Sequence, residues 1–131
     1  MATVTVFTDS GKTVVTTALV SGVTPYIHWG TGTNGGATVD DSALETPGNE
    51  DRVLGTESLV NGGVADDTYQ VVGTLTCDST AKAITEAGIF TTAGSGGPPK
   101  TGGVLFLYST FSAINVAEND QIEFTFKMRF T

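Results

Sequence analysis

Between Gln121 and Thr131 large apolar side chains alternate with polar ones without a break. Ile122, Phe124, Phe126, Met128 and Phe130 fall on one face, and Gln121, Glu123, Thr125, Lys127 and Arg129 on the other. A period of two sustained over this length is that of a β-strand with one face on a core and one in water. No helical stripe of comparable length exists elsewhere, so strands must carry the fold.

Shorter runs with strand chemistry precede it. Val4 to Thr8 alternates, Tyr26 to Trp29 is a short aromatic strand, and Tyr69 to Cys77 alternates well. Ala83 to Phe90 is apolar apart from Thr85 and Glu86. Val104 to Phe111 is apolar on both faces, as for a strand buried in the middle of a sandwich. Lys12 to Val20 fits a strand or a helix equally. Asp40 to Glu45 reads as one helical turn capped by Asp40 or Asp41. Gly-, Asn- and Pro-rich turns separate these runs, at Gly30 to Gly36, Pro47-Gly48-Asn49, Asn61-Gly62-Gly63 and Gly94 to Gly103. The expectation is an all-β fold of one domain over residues 1–131, with seven or eight strands and long Gly-rich loops. They would form an antiparallel β-sandwich, jelly-roll-like or with an immunoglobulin-like Greek key. Residues 1–25 stand apart as a candidate contact segment.

Composition narrows the function. Only 15% of the 131 residues are charged, and 14 acidic against 6 basic residues leave a net charge of −8. Nucleic-acid backbones and anionic membranes demand a basic face, which so few cations cannot make. A single cysteine, Cys77, allows no internal disulfide and reads as a small buried side chain. No apolar run approaches the ~18 residues of a membrane span. Met1 to Val6 lacks the basic and apolar regions of a signal peptide, so the chain is expected to remain in the compartment where it is made.

Catalytic and cofactor chemistry finds little support. Gly11-Lys12-Thr13 looks like the end of a phosphate-binding loop, but Val6 stands where that loop needs a glycine. Gly30 to Gly36 leads into acidic Asp40-Asp41, which would repel phosphate. Asp40-Asp41 and Asp66-Asp67 are adjacent pairs whose carboxylates point apart on an extended chain, and one Cys with one His cannot build structural zinc. No cofactor or metal is expected. His28 lies between Ile27 and Trp29 with no nucleophile motif beside it, so the chain reads as no enzyme. Glu86 sits in an apolar strand and must be paired or bonded to backbone amides, because burying it bare would be costly. Arg52 and Arg129 are the available guanidinium partners, and the three residues are expected to act as a structural anchor. The segment around Gly97, Pro98, Pro99 and Lys100, stiffened into an extended form by its prolines, reads as a hairpin connection or a projecting arm. An exposed glycan-binding platform of Tyr26, Trp29 and Tyr108 is a further reading.

Several of these segments resemble tailed-bacteriophage virion structural proteins. Ile27-His28-Trp29-Gly30-Thr31-Gly32-Thr33, followed by Asp40 to Glu45 and Arg52-Val53, is similar to a "GxGT" turn followed by "DTALxxE…R". Ala83 to Phe90 looks like that group's "ITEAGLF" strand, and Asp120 to Phe126 like its closing strand. The likeness covers roughly residues 27–130, leaving residues 1–25 and the Pro98-Pro99 insertion outside it. It implies a non-enzymatic capsid decoration (cement) protein on the virion surface, assembled in the host cytoplasm. Such a protein would bind the major capsid protein and itself, as a homotrimer. Val4, Val6, Phe7 and the Gly97 to Lys100 loop would make the contacts. A tail, collar or baseplate protein, or a receptor- or glycan-binding module, is the alternative.

Overall fold

The structure is a computed structural model and describes residues 3–131. One helix, α1 (Asp9–Gly22), is followed by seven strands. These are β1 (Tyr26–Gly30), β2 (Val53–Leu54), β3 (Thr56–Val60), β4 (Thr68–Thr76), β5 (Lys82–Phe90), β6 (Leu105–Val116) and β7 (Gln121–Arg129). All pair antiparallel, in a four-stranded sheet of order β2-β1-β5-β6 and a three-stranded sheet of order β3-β4-β7. The chain is thus the all-β sandwich that its alternation predicts.

Between the sheets lie Ile27, Trp29, Tyr69, Val71, Leu75, Ile84 and Ile89, all buried. Aromatic rings cross the gap edge to face, Trp29 on Phe124 at 6.4 Å and Tyr69 on Phe106 at 6.3 Å between centroids. Such pairs add about 0.5–1.5 kcal/mol beyond the area they bury. The chain changes sheets between β2 and β3 at Gly55, where a Cβ would lie 2.3 Å from Val71 Cγ1. Only glycine turns that corner without pushing the sheets apart.

β7 keeps its alternation along the whole ladder with β4, from Thr76↔Gln121 to Thr68↔Arg129. Its apolar face is only half-buried, because β7 is an edge strand with no neighbour beyond it. β6 corrects an expectation more sharply: it is not a central strand but the other edge on this side of the sandwich. Its second apolar face has a different cause. The segment before β2 folds across the outside of the sheet, and buried Leu44 comes close to β5 at Gly88, beside Leu105.

Three local expectations also change. Val4 to Thr8 is not a strand, since no neighbouring strand reaches it; it runs irregular and exposed up to α1. The ambiguous Lys12 to Val20 is helix, although its β-branched residues favour strands. Thr8 caps α1 by accepting from the Gly11 amide at 3.0 Å, and buried Thr16 donates to Asp66 O at 2.8 Å, tying α1 to the loop between β3 and β4. Asp40 to Glu45 forms no helix. Asp41 turns back on Thr38, whose amide it accepts at 2.7 Å, and the chain then bends at Ala43, Glu45 and Thr46, where the Glu45 and Thr46 amides turn to Glu86 in β5.

Candidate functional site

Glu86, in the middle of β5, is completely buried. Its Oε2 accepts from the amides of Gly32 (2.8 Å) and Thr46 (2.9 Å), and its Oε1 from the amide of Glu45 (2.9 Å) and the hydroxyl of Tyr108 (2.7 Å). One carboxylate therefore pins the glycine loop after β1 and the segment before Pro47 onto the central strand. The approach requires Gly30, where a Cβ would fall 2.6 Å from Glu86 Oε2 and 2.4 Å from Thr46 O. Thr85 adds a bond to Gly32 O at 2.7 Å. Burial and the bond to Glu86 push the Tyr108 hydroxyl pKa well up, so it stays a donor.

Neither arginine is the partner of Glu86. Arg129 donates to Asp67 at 3.1 Å, at the far end of β7. Asp67, buried, also accepts from the amides of Gly62 (2.6 Å), Gly63 (2.9 Å) and Val64 (3.2 Å). Burial alone would raise its pKa, but those amides outweigh burial and hold it well below the usual carboxylate range. Asp67 is a second anchor, invisible in sequence because Asp66-Asp67 looks like any polar turn. Arg52 lies flat on Phe90, its Cζ 3.8 Å from the ring centroid, with Nη1 donating to Thr92 O (3.0 Å) and Gly102 O (2.8 Å). Arg52 thus holds both ends of the loop that carries Gly97, Pro98, Pro99 and Lys100.

That loop is closed, not extended. Ser95 and Thr101 exchange backbone hydrogen bonds at 2.9 and 3.1 Å, and Gly96 and Gly97 turn the chain with φ of 71° and 82°. Gly97 and Pro98 are exposed at its tip, while Pro99 and Lys100 are half-buried.

The other candidates are spent on structure. Trp29 is fully buried with its Nε1 donating to Glu50 (3.0 Å), so Tyr26, Trp29 and Tyr108 offer no aromatic platform to a sugar. His28 is buried with Nε2 bonded to Gly48 O at 2.9 Å, and burial lowers its pKa. In α1, the Gly11 amide is taken by Thr8 and Lys12 pairs with Asp9 at 3.1 Å. Glu50, Cys77 and Asp78 come together as the sequence did not foretell. The Lys82 ammonium sits among them, 2.5 Å from Glu50 and 3.1 Å from Asp78, in the place a cation would take. Burial pushes the Cys77 thiol pKa up.

Two apolar surfaces stand out among the described residues. Val4 is 83% exposed, Val6 68% and Phe7 47%; of these only Phe7 meets a ring, Phe130, edge to face at 6.3 Å. The second is the open side of the sandwich, where edges β6 and β7 face each other across a groove. Phe111, Ile114, Ile122, Phe124 and Phe126 line it, and Phe111 packs on Phe124 at 6.2 Å. Along β6, from Leu105 to Val116, there is not one charged residue. Comparison of the chain with protein-family models finds no match, and comparison with curated proteins finds none either.

Proposed function

We propose that this chain is a non-enzymatic structural protein of a bacteriophage virion, a decoration protein that binds the outer face of the capsid and braces neighbouring major capsid subunits. One observation carries the reading furthest. An acidic molecule of net charge −8 keeps an uncharged twelve-residue strand edge over an aromatic groove. An unpaired strand edge is a template for another chain, and soluble proteins ordinarily blunt such edges with charge. Left bare, β6 fits strand addition by a partner. The exposed Thr3 to Thr8 segment is likewise uncharged and apolar on alternate residues. The resemblance supports the virion context, because its motif residues converge on the Glu86 and Arg52 anchors. Self-association as a trimer would place several such edges around one contact point on the shell.

Gold-labelled antibody against the chain, imaged on intact virions by electron microscopy, tests the proposal. Label spread over the head is the expected result. Label confined to tail or neck would replace it with a tail or collar role.

A further inference from the structure

Arg52 is 8% exposed, and among the described residues no carboxylate lies within ion-pair distance of it. A buried charge without a counter-ion is costly unless hydrogen bonds replace the lost water. Glu86, the other buried charge without a counter-ion, is fully bonded. Arg52 is not. Nη1 serves two carbonyls, but among the described residues Nε is buried with no partner and Nη2 makes no hydrogen bond.

Arg52 borders a cavity of about 110 Å³; its Nε is shielded from it, which leaves Nη2 as the unbonded nitrogen that can open on it. His28, Ser42, Leu44, Arg52, Phe90 and Lys100 are among the residues that line it. The chain has 14 acidic residues and none lines the cavity, whereas two of its 6 lysines and arginines do. Lys100 is held only loosely by Asp51, at 3.9 Å. The buried His28 Nδ1 also lacks a partner. Gly94 lies over the guanidinium, where a Cβ would come 3.0 Å from Nη1 and 3.1 Å from Cζ, so only glycine lets the loop lie against Arg52.

We infer that this cavity is a carboxylate-binding site. Arg52 donates to one carboxylate oxygen through Nη2, and Lys100 adds a second positive charge from the loop. The aliphatic stem of the ligand lies against Leu44 and Phe90. The carboxylate is either a free small acid or an Asp or Glu side chain of a partner. The second source rests on the proposed virion role, and the site itself does not.

The test follows the Arg52 Nε–Hε resonance of ¹⁵N-labelled full-length protein during titration with sodium acetate, against sodium chloride at equal ionic strength. A saturable shift with acetate, absent with chloride, is expected, together with a rise in Tm as acetate exceeds its Kd. Lys100→Ala should raise the acetate Kd by about threefold or more while leaving Tm in chloride unchanged. Ser42→Glu places a carboxylate at the cavity wall and should raise Tm and abolish the acetate response. An unmoved Nε–Hε resonance, or an equal response to chloride, overturns the site. Tighter binding of inorganic phosphate than of acetate overturns the carboxylate class. N-acetylglutamate amide binding more tightly than acetate assigns the site to a partner side chain, and acetate alone assigns it to a free acid. A silent Arg52 would leave label on the phage head as informative as before, so the two proposals fail separately.

Discussion

At Glu86 one side chain answers four donors from three separate stretches of chain. Glu86→Ala orphans three backbone amides, one of them fully buried, at about 1–3 kcal/mol for each that water cannot reach. A loss of about 2–4 kcal/mol is expected, read as a urea midpoint lower by ~1–2 M; a shift below a few tenths of a molar would show that water replaces the carboxylate. Glu50 governs acid stability. Burial would raise its pKa, but the bonds from Lys82, Trp29 and the Asp78 amide outweigh burial and lower it from 4.5 to about 2. A carboxylate whose folded pKa is depressed stabilises the fold above its unfolded pKa and loses that contribution as pH falls through the folded one. Stability should therefore decline between pH 4.5 and about 2, and Glu50→Gln should start lower and decline less over that window. Urea titrations at both ends check this, and parallel declines in the two proteins would reject Glu50 as the source. The need for a partner at Glu86 is legible in sequence, because a lone carboxylate in an apolar strand demands one. The partner's identity is not, since amides carry no sequence signature. Arg52 and Arg129 were the visible choices, and the fold sends them to a ring and to Asp67.

Among the elements, β7 is fully legible because its alternation leaves one face to bury, whatever it packs against. β6 is legible as a strand but not in its place. Apolar residues on both faces signal a central strand or, as here, an edge strand with Leu44 brought near its outer side. Only the return path of residues 38–47 decides between them. α1 opposes its own propensities and is held by its cap and its docking. Thr8→Ala should cost about 1 kcal/mol, measured as a lower Tm. Thr16→Val should cost at least as much, because Asp66 O then loses its donor inside the contact. The segment from Thr3 to Phe7 stays irregular since nothing among the described residues pairs with it. An intrinsic strand preference needs a neighbour before it becomes a strand.

For the whole molecule, the proposed contacts at the segment before Thr8 and at Ile114 lie on exposed residues, which makes them separable from folding. Deleting residues 2–7 spares the Thr8 cap and removes one edge-to-face ring contact. It should leave Tm within a few degrees while abolishing capsid binding in a sedimentation assay. Ile114→Lys, on the exposed lip of the groove, should keep the fold within ~0.5 kcal/mol and weaken the same binding. Full binding by both variants would defeat the proposed interface. The Glu86 staple has a consequence for motion. Gly32, Glu45 and Thr46 lie outside the strands, and such backbone ordinarily exchanges its amide hydrogens within the fast, local class of openings. Here their hydrogens are locked to the central strand, so release requires parting the loops from β5. In deuterated water they should persist as long as the amides of β5 itself, and the slowest-exchanging map of this protein will include residues that look like loops.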